Sequence, residues 1–374
     1  MEEMLNTQTV RQAWRAYYEA DLGFWNHWYP AAWSHEVGED PKPVKLLGER
    51  ILLRRIDGRV WAIEDRCPHR RVPFSAKVEC YTKDTITCWY HGWTVDFTTG
   101  ELVQILTEPG SALIGKVRVK TYPVQEAQGL VFLFLGDIEP PPLSEDVPPG
   151  FLDPGVAMAG LVREVRSNWR WGAENGFDTT HVYIHRHSKL LKGARRVFPL
   201  GFVPSTRYAV EIVEGPGPKG VIDRLTENYI PHFEASIKGT VVSARVVPNP
   251  RPVPPPTVSM WLPCWLKVDP WPVEDMIQYE AYVPKEKNTH WYWQVLAKRV
   301  ESEQEAMIFR EEVSALWEDL ALRGFNNDDI WAREALEDAY TEGEGWTKER
   351  LFKPDLCIVE WRKLASRCNR GIRR

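Results

Sequence analysis

Cys67-Pro68-His69 and, eighteen residues further on, Cys88-Trp89-Tyr90-His91 are the stretches that decide how this chain is read. Each pairs one cysteine with one histidine. Two thiolates and two imidazoles, split into a C-x-H and a C-x-x-H pair, suit a two-iron, two-sulfur cluster in which one iron takes both thiolates and the other both imidazoles. Neutral imidazoles in place of two thiolates raise the reduction potential, so such a centre accepts electrons from a low-potential donor. Zinc also takes two Cys and two His, but its usual motifs keep like ligands together. The mixed pairing favours the cluster, and structural zinc is the alternative.

Around these pairs the chain alternates short apolar runs with turn residues. Ile51-Leu52-Leu53-Arg54-Arg55-Ile56, then Asp57-Gly58, then Arg59-Val60-Trp61-Ala62-Ile63 is a hairpin signal. A second turn is expected near Thr99-Gly100, and Gly129 to Leu135 reads as the closing strand of a small β module with the ligands on loops at one end. The proline-rich stretch from Glu139 to Gly150 is a stiff boundary. Beyond it come longer strands, a proline-rich loop from Pro248 to Pro256, and helices. Ser302-Glu303-Gln304-Glu305 is a capping-box pattern opening a helix with Val313, Leu316, Trp317 and Leu320 on one face and Gly324 as its stop.

With 374 residues there is room for two domains, each with a core. The hydrophobic share of 43% beside 26% charged residues is that of a soluble globular protein. Lys and Arg total 47 against 52 acids, a net charge of −5, so no broad cationic field favours nucleic acid. The basic tail, Arg367, Arg370, Arg373 and Arg374, reads as a solvated end. No apolar run reaches membrane-spanning length, and the acidic start, Met1-Glu2-Glu3-Met4, is unlike a signal peptide. Cys80, Cys264, Cys357 and Cys368 show no framework spacing. Free thiols beside an oxidisable cluster point to a reducing cytoplasm.

A second metal-binding pattern lies past the boundary. Asp178-Thr179-Thr180-His181-Val182-Tyr183-Ile184-His185 would, if helical, bring the three polar residues to one face with His181 and His185 a turn apart. Two imidazoles and a carboxylate on one side of Fe(II) leave positions open for dioxygen and substrate. Asp178 is expected to point away or serve another role. The carboxylate is sought in Gly324-Phe325-Asn326-Asn327-Asp328-Asp329-Ile330-Trp331, where a helix begins. Asn327 or Asp328 is the expected cap and Asp329 the expected ligand, while capping by both aspartates is the blander reading. His187 is expected at the surface, or in place of His185 if the helix ends early.

Cys67-x-His69 with Cys88-x-x-His91-Gly92-Trp93, followed by Asn175-Gly176-Phe177-Asp178-x-x-His181-x3-His185, resembles the Rieske non-haem iron ring-hydroxylating oxygenases essentially end to end. The resemblance implies an α+β chain. Residues 1–35 would form a helical segment packing with the catalytic domain, and 36–153 an all-β Rieske [2Fe-2S] domain. Residues 154–374 would form a helix-grip catalytic domain, an antiparallel sheet flanked by helices. It also implies that Cys67, His69, Cys88 and His91 hold the cluster and that His181, His185 and Asp329 hold a mononuclear Fe(2+). Asp178 would bridge His181 to a cluster histidine of a neighbouring subunit in a homotrimer. Electrons would come from NADH through a reductase and a ferredoxin, with O2 as co-substrate. The pocket for a flat aromatic substrate is expected from Gly176, Val258, Trp271, Gln278 and Phe325, with Asn326 near the iron or capping. One departure is Arg71, where many relatives carry Gly. The same two sites would serve a monooxygenase or demethylase, which stays open as the alternative.

Gly215-Pro216-Gly217-Pro218-Lys219-Gly220 matches G-x-G-x-x-G, yet its two prolines and the strand-like Val221-Ile222 after it argue for a loop. No directly bound NAD is therefore expected.

Overall fold

The computed structural model describes residues 13–178, 180–190, 210–224, 232–238, 241–247, 256–342 and 344–374. The chain divides into two compact units. One is Trp25–Leu143; the other joins the residues up to Phe24 to Ser144–Arg374.

In the Trp25–Leu143 unit nine strands form three antiparallel sheets of three. They are β1 (His27–Trp33), β2 (Lys42–Leu46), β3 (Glu49–Ile56), β4 (Arg59–Glu64), β5 (Thr85–Thr87), β6 (Trp93–Asp96), β7 (Leu102–Ile105), β8 (Val124–Ala127) and β9 (Leu130–Leu135). The sheets run β1–β9–β8, β2–β3–β4 and β5–β6–β7. Asp57 and Gly58 both take positive φ, 49° and 80°, the two-residue turn whose twist suits a hairpin. Gly100, φ 74°, turns β6 into β7. Leu52, Ile63, Phe74, Ile86, Val95 and Phe97 make the core, and Cys67 and Cys88 are packed into it.

The unit begins at Trp25, not at 36, because β1 pairs along its length with β9. It ends at Leu143, not at 153, because Phe151 packs its ring 4.9 Å from that of Trp265 and 5.1 Å from that of Tyr279, in the other unit's core.

That other unit carries, among its described residues, β10 (Val156–Val165), β11 (Val210–Val213), β12 (Gly220–Arg224), β13 (His232–Lys238), β14 (Val241–Val247), β15 (Thr257–Trp261), β16 (Trp265–Asp269), β17 (Ile277–Glu286) and β18 (Thr289–Arg299). Seven form one antiparallel sheet, β10–β18–β17–β16–β15–β12–β11, while β13 and β14 pair with each other. Among its described residues the unit has the helices α1 (Arg15–Glu19), α2 (Trp169–Phe177), α3 (Glu303–Glu312), α4 (Asn327–Thr341) and α5 (Leu356–Cys368), with one short helical turn, Gly345–Lys348, between the last two. Helix α2 lies against β15 to β18 and α5 against β11 and β12. The α+β class holds, with all-β and sheet-and-helix parts in the expected order.

Three local expectations are corrected. The helix opened by Ser302, whose Oγ accepts from Glu305 N at 3.2 Å, is α-helical only to Glu312; Val313–Arg323 is wound as a π-helix. Wider winding turns Leu316 out to solvent while Val313 and Trp317 stay buried. Gly324 keeps right-handed helical angles (φ −66°, ψ −42°) and so does not act as a left-handed stop. The basic tail is solvated only in part: Arg367 and Arg374 are exposed and paired with Glu214 and Glu19, whereas Arg370 is half-buried and paired with Asp146 and Glu145, and Phe24 bridges to Ile372.

Candidate metal centres

The first centre is built on two loops of the Trp25–Leu143 unit that close the same way. Arg71 N donates to Cys67 O at 2.9 Å, and Gly92 N donates to Cys88 O at 2.9 Å. Both closing residues are left-handed, Arg71 at φ 61° and Gly92 at φ 68°. Glycine adopts that conformation freely and arginine does not. The departure at Arg71 therefore strains the loop, and its guanidinium reaches back to Glu64.

Cys67 and Cys88 are buried and free, and their side chains share a hydrogen bond. The bond from Cys67 holds the Cys88 thiol down to about 6, and the same bond pushes Cys67 up. His69 and His91 lie toward the surface with Nδ1 atoms 3.1 Å apart, and the His69 ring stacks on Trp93 at 5.0 Å. Two thiols and two imidazole nitrogens thus converge pairwise, soft ligands inside and imidazoles outside. This donor set fits an iron–sulfur cluster.

The second centre lies in the sheet-and-helix unit. His181, His185 and Asp329 each aim one ligand atom at a common point, all within 4.8 Å of one another. His181 Nε2 is 3.2 Å and His185 Nε2 3.3 Å from Asp329 Oδ1. The histidines sit on a 3-10 turn, His181–His187, and not on the expected α-helix. Asp178 is outside that turn, as the C-cap of α2, so the three do not share one helical face. Its carbonyl, not its carboxylate, engages His181 Nδ1; carboxylate Oδ1 accepts from the N–H and hydroxyl of Thr180, each at 2.7 Å. His187 is exposed.

Asn326, not Asn327 or Asp328, occupies the cap position of α4, and its side chain caps nothing. Asp328 instead places Oδ2 3.3 Å from His185 Nδ1. Burial works against charge on His181, but the Asp329 carboxylate outweighs it and raises its pKa to about 9. Burial likewise opposes the Asp329 anion, yet His185 and His181 hold it well below the carboxylate range. His185 Nε2 and Asp329 Oδ1 are buried and make no hydrogen bond. Two electron-rich atoms left facing each other in a dry site are relieved by a cation, so this trio fits a divalent metal.

Beside the trio, Phe325 stacks on His185 at 3.7 Å and meets Trp271 at 5.0 Å, both rings belonging to one apolar cluster with Leu161, Leu296 and Trp317. Gly176 is required where it stands, since a Cβ there would run into the Tyr282 hydroxyl. Gln278 is buried on β17 and Val258 on β15, but Val258 is not part of the Trp271–Phe325 cluster. Sequence reasoning passed over Asp328, which it read as a cap, and Glu280. The signal for the latter was Gln278-x-Glu280-x-Tyr282, polar groups recurring every second residue on the inward face of a buried strand. The glycine-rich decoy joins antiparallel β11 and β12 and is followed by a strand, not a helix.

Mixed Cys–His pairs move single electrons, and a two-His, one-carboxylate trio with open positions suits dioxygen, so a chain carrying both is built as an oxygenase fed by an iron–sulfur centre. Residues 27–123 match the Rieske [2Fe-2S] domain and residues 134–373 the family described as homotrimeric ring hydroxylase, and the chain belongs to that ring hydroxylase family. It is 51% identical over 365 residues, 96% of each chain, to the terminal oxygenase component CarAa of carbazole 1,9a-dioxygenase from Sphingomonas sp.. Among solved structures it is similar to the terminal oxygenase of carbazole 1,9a-dioxygenase from Novosphingobium sp. KA1. The TM-score is 0.92 at 50% identity, covering 98% of this chain and 99% of that one. The reduced complex between oxygenase and ferredoxin in carbazole 1,9a-dioxygenase matches with TM-score 0.89 at 46% identity, covering 100% of this chain and 97% of that one. No helix among the described residues is long and apolar enough to cross a membrane.

Proposed function

We propose that this chain is the terminal oxygenase of a carbazole 1,9a-dioxygenase-type system. It would act in a homotrimer and take electrons from a ferredoxin that an NADH-dependent reductase reduces. Similarity over 96% of both chains to an oxygenase of that name carries the reading. The reaction adds both atoms of O2 to the ring carbon bonded to nitrogen and to its neighbour, and consumes two electrons and two protons per cis-diol formed.

Cys67, Cys88, His69 and His91 would hold the cluster, the thiolates on the inner iron and the imidazoles on the outer. His181, His185 and Asp329 would hold Fe(2+) from one side; when bound, that ion supplies the activation of dioxygen beside the arene. The chain's own residues prepare this site. The Asp178 carbonyl and the Asp328 carboxylate would accept hydrogen bonds from Nδ1–H of His181 and of His185, keeping those protons on Nδ1 and leaving both Nε2 lone pairs for the metal. Asp178, one hydrogen bond from a ligand, is the proposed link to the cluster of a neighbouring subunit. Phe325 and Trp271 supply an apolar wall that excludes water, with Gly176, Gln278 and Val258 completing the proposed pocket. Localisation in the cytoplasm fits the free thiols.

The test is turnover of carbazole, dibenzofuran and naphthalene under labelled dioxygen, with ferredoxin, reductase and NADH supplied. Products carrying both labelled atoms from carbazole support the reading. Single-atom hydroxylation or demethylation, with the heteroarenes untouched, replaces it with a monooxygenase.

A further inference from the structure

Helices ordinarily dock through an apolar stripe. Helix α4 does not: within Asn327–Thr341 the buried residues are Asp329, Arg333 and Glu337, one per turn along a single face and all of them charged. Each meets helix α2 or what α2 carries. Glu337 Oε2 accepts from Asn168 N at 2.6 Å and from Trp171 Nε1 at 2.9 Å, at the start of α2. One turn earlier, Arg333 Nε donates to Asn175 Oδ1 at 2.8 Å, near the end of α2, and has Glu280 Oε2 3.7 Å from its Nη2. One turn earlier again, Asp329 meets His181, whose Nδ1 is engaged by the carbonyl of Asp178, the C-cap of α2. The two helices thus run antiparallel and are joined by rungs, with the metal trio as the last rung.

Charged groups are a costly way to dock a helix, because they lose their hydration; apolar side chains of similar volume often hold as well or better. What polar contacts add is direction. A hydrogen bond weakens steeply with angle and distance, so each rung permits one register of α4 against α2, whereas apolar faces can slide. Register matters here because the helices serve opposite sides of the trio. Helix α2 steadies His181 through Asp178, and α4 carries Asp329. Glu337 lies about 12 Å from Asp329 along the axis of α4. A tilt of about 5° over that length displaces the carboxylate by about 1 Å, several times the roughly 0.2 Å that a metal–ligand distance tolerates.

We propose that Glu337 is a positioning residue for the mononuclear metal site. By fixing the far end of α4 on the first turn of α2, it sets where Asp329 stands relative to His181 and His185. Its carboxylate is engaged on α2, two turns from the nearest ligand in its own helix, and acts through helix register alone. This rests on the reading of the trio as the Fe(2+) site.

The experiment uses enzyme stripped of mononuclear iron by a chelator, with its cluster intact by visible spectrum. Labelled Fe(II) is titrated in anaerobically, and thermal melting of the same samples is followed. Glu337→Ala should bind Fe(II) about tenfold more weakly than wild type. Glu337→Gln keeps an oxygen that accepts from the same two N–H groups and should stay within about twofold of wild type. Phe151→Leu serves as the control for general loosening. It thins the packing on Trp265 and Tyr279, which alternate with Leu266 and Tyr282 and so face away from α2. That variant should melt earlier with its Fe(II) affinity unchanged. Unchanged affinity in Glu337→Ala overturns the proposal. So does an equal loss in Glu337→Gln, or in Phe151→Leu at the same fall in melting temperature. If Glu337→Ala does not fold, Trp171→Phe deletes one donor while keeping a ring against Tyr340. It must then weaken Fe(II) binding by about threefold or more, and unchanged binding there is equally fatal. Failure of the underlying reading shows separately, as wild-type enzyme that takes up no Fe(II) beyond its cluster.

Discussion

Asp328 Oδ2 stands 3.3 Å from His185 Nδ1, on the far side of the ring from the Asp329 oxygen that shares the candidate metal site. Two adjacent aspartates therefore serve opposite ends of one imidazole. The outer one fixes which nitrogen keeps its proton. Removing such a partner commonly weakens metal binding about 10–100-fold. Asp328→Ala should lose mononuclear iron to that extent, read as iron per chain after dialysis against a chelator, while the visible spectrum of the cluster stays. Asp328→Asn keeps an oxygen that can accept and should retain most of the affinity. Loss in both variants alike would assign Asp328 to helix capping.

Iron and a proton compete for His181. Its folded-state pKa of about 9 lies above the ordinary value of 6.5. The His181–Asp329 attraction thus stabilises the metal-free protein fully below pH 6.5 and fades as pH rises through 9. Metal affinity should run the other way, climbing as pH rises toward 9, with about one proton released per iron bound near neutrality. Anaerobic Fe(II) titration at several pH values, in two buffers of different ionisation enthalpy, measures both. A flat pH profile would place the proton elsewhere.

The two cluster loops predict opposite outcomes for a pair of substitutions. Gly92→Ala must keep φ near 68° and would bring its Cβ to 2.8 Å from Leu106 Cβ. A cost of about 1–3 kcal/mol and a diminished cluster absorbance are expected. Arg71→Gly relieves the same backbone strain and loses a half-exposed ion pair of similar small worth, so stability should change by less than about 1 kcal/mol. Chemical denaturation of both variants decides.

Gly176→Ala would displace the Tyr282 hydroxyl from Glu280. Overpacking of this kind costs about 1–3 kcal/mol. The expected signature is a lowered melting temperature together with a fall in kcat/KM, and Tyr282→Phe in the Gly176→Ala background should recover part of the stability. No recovery would mean that the clash is taken up by the helix itself.

What could be read from the chain beforehand follows from how local each signal is. Cys67, His69, Cys88 and His91 announce themselves by spacing, and the Asp57-Gly58 turn by composition. His181 and His185 were legible as a pair, although a 3-10 turn in place of an α-helix carries them. Glu280, Asn326 and Arg333 were not, because their relation exists only once β17 and the start of α4 are brought together across nearly fifty positions of sequence. Leu316 misled for a different reason: a 3.6-residue period assigns faces correctly only while the winding stays α. The domain limits slipped because β1 is claimed by a partner strand a hundred residues away.

The loosened coil at Val313–Arg323 ends immediately before Phe325, Asn326 and Asp329, and Leu322 O within it is held by Arg163 and Gln294, each at 2.7 Å. Its phase therefore dictates the azimuth of everything downstream. Deleting one residue there would rewind the segment and swivel the next helix by about 100°, carrying the aspartate out of reach of both imidazoles without altering a single ligand. Homologues should consequently tolerate substitutions in this stretch far more readily than any change in its length.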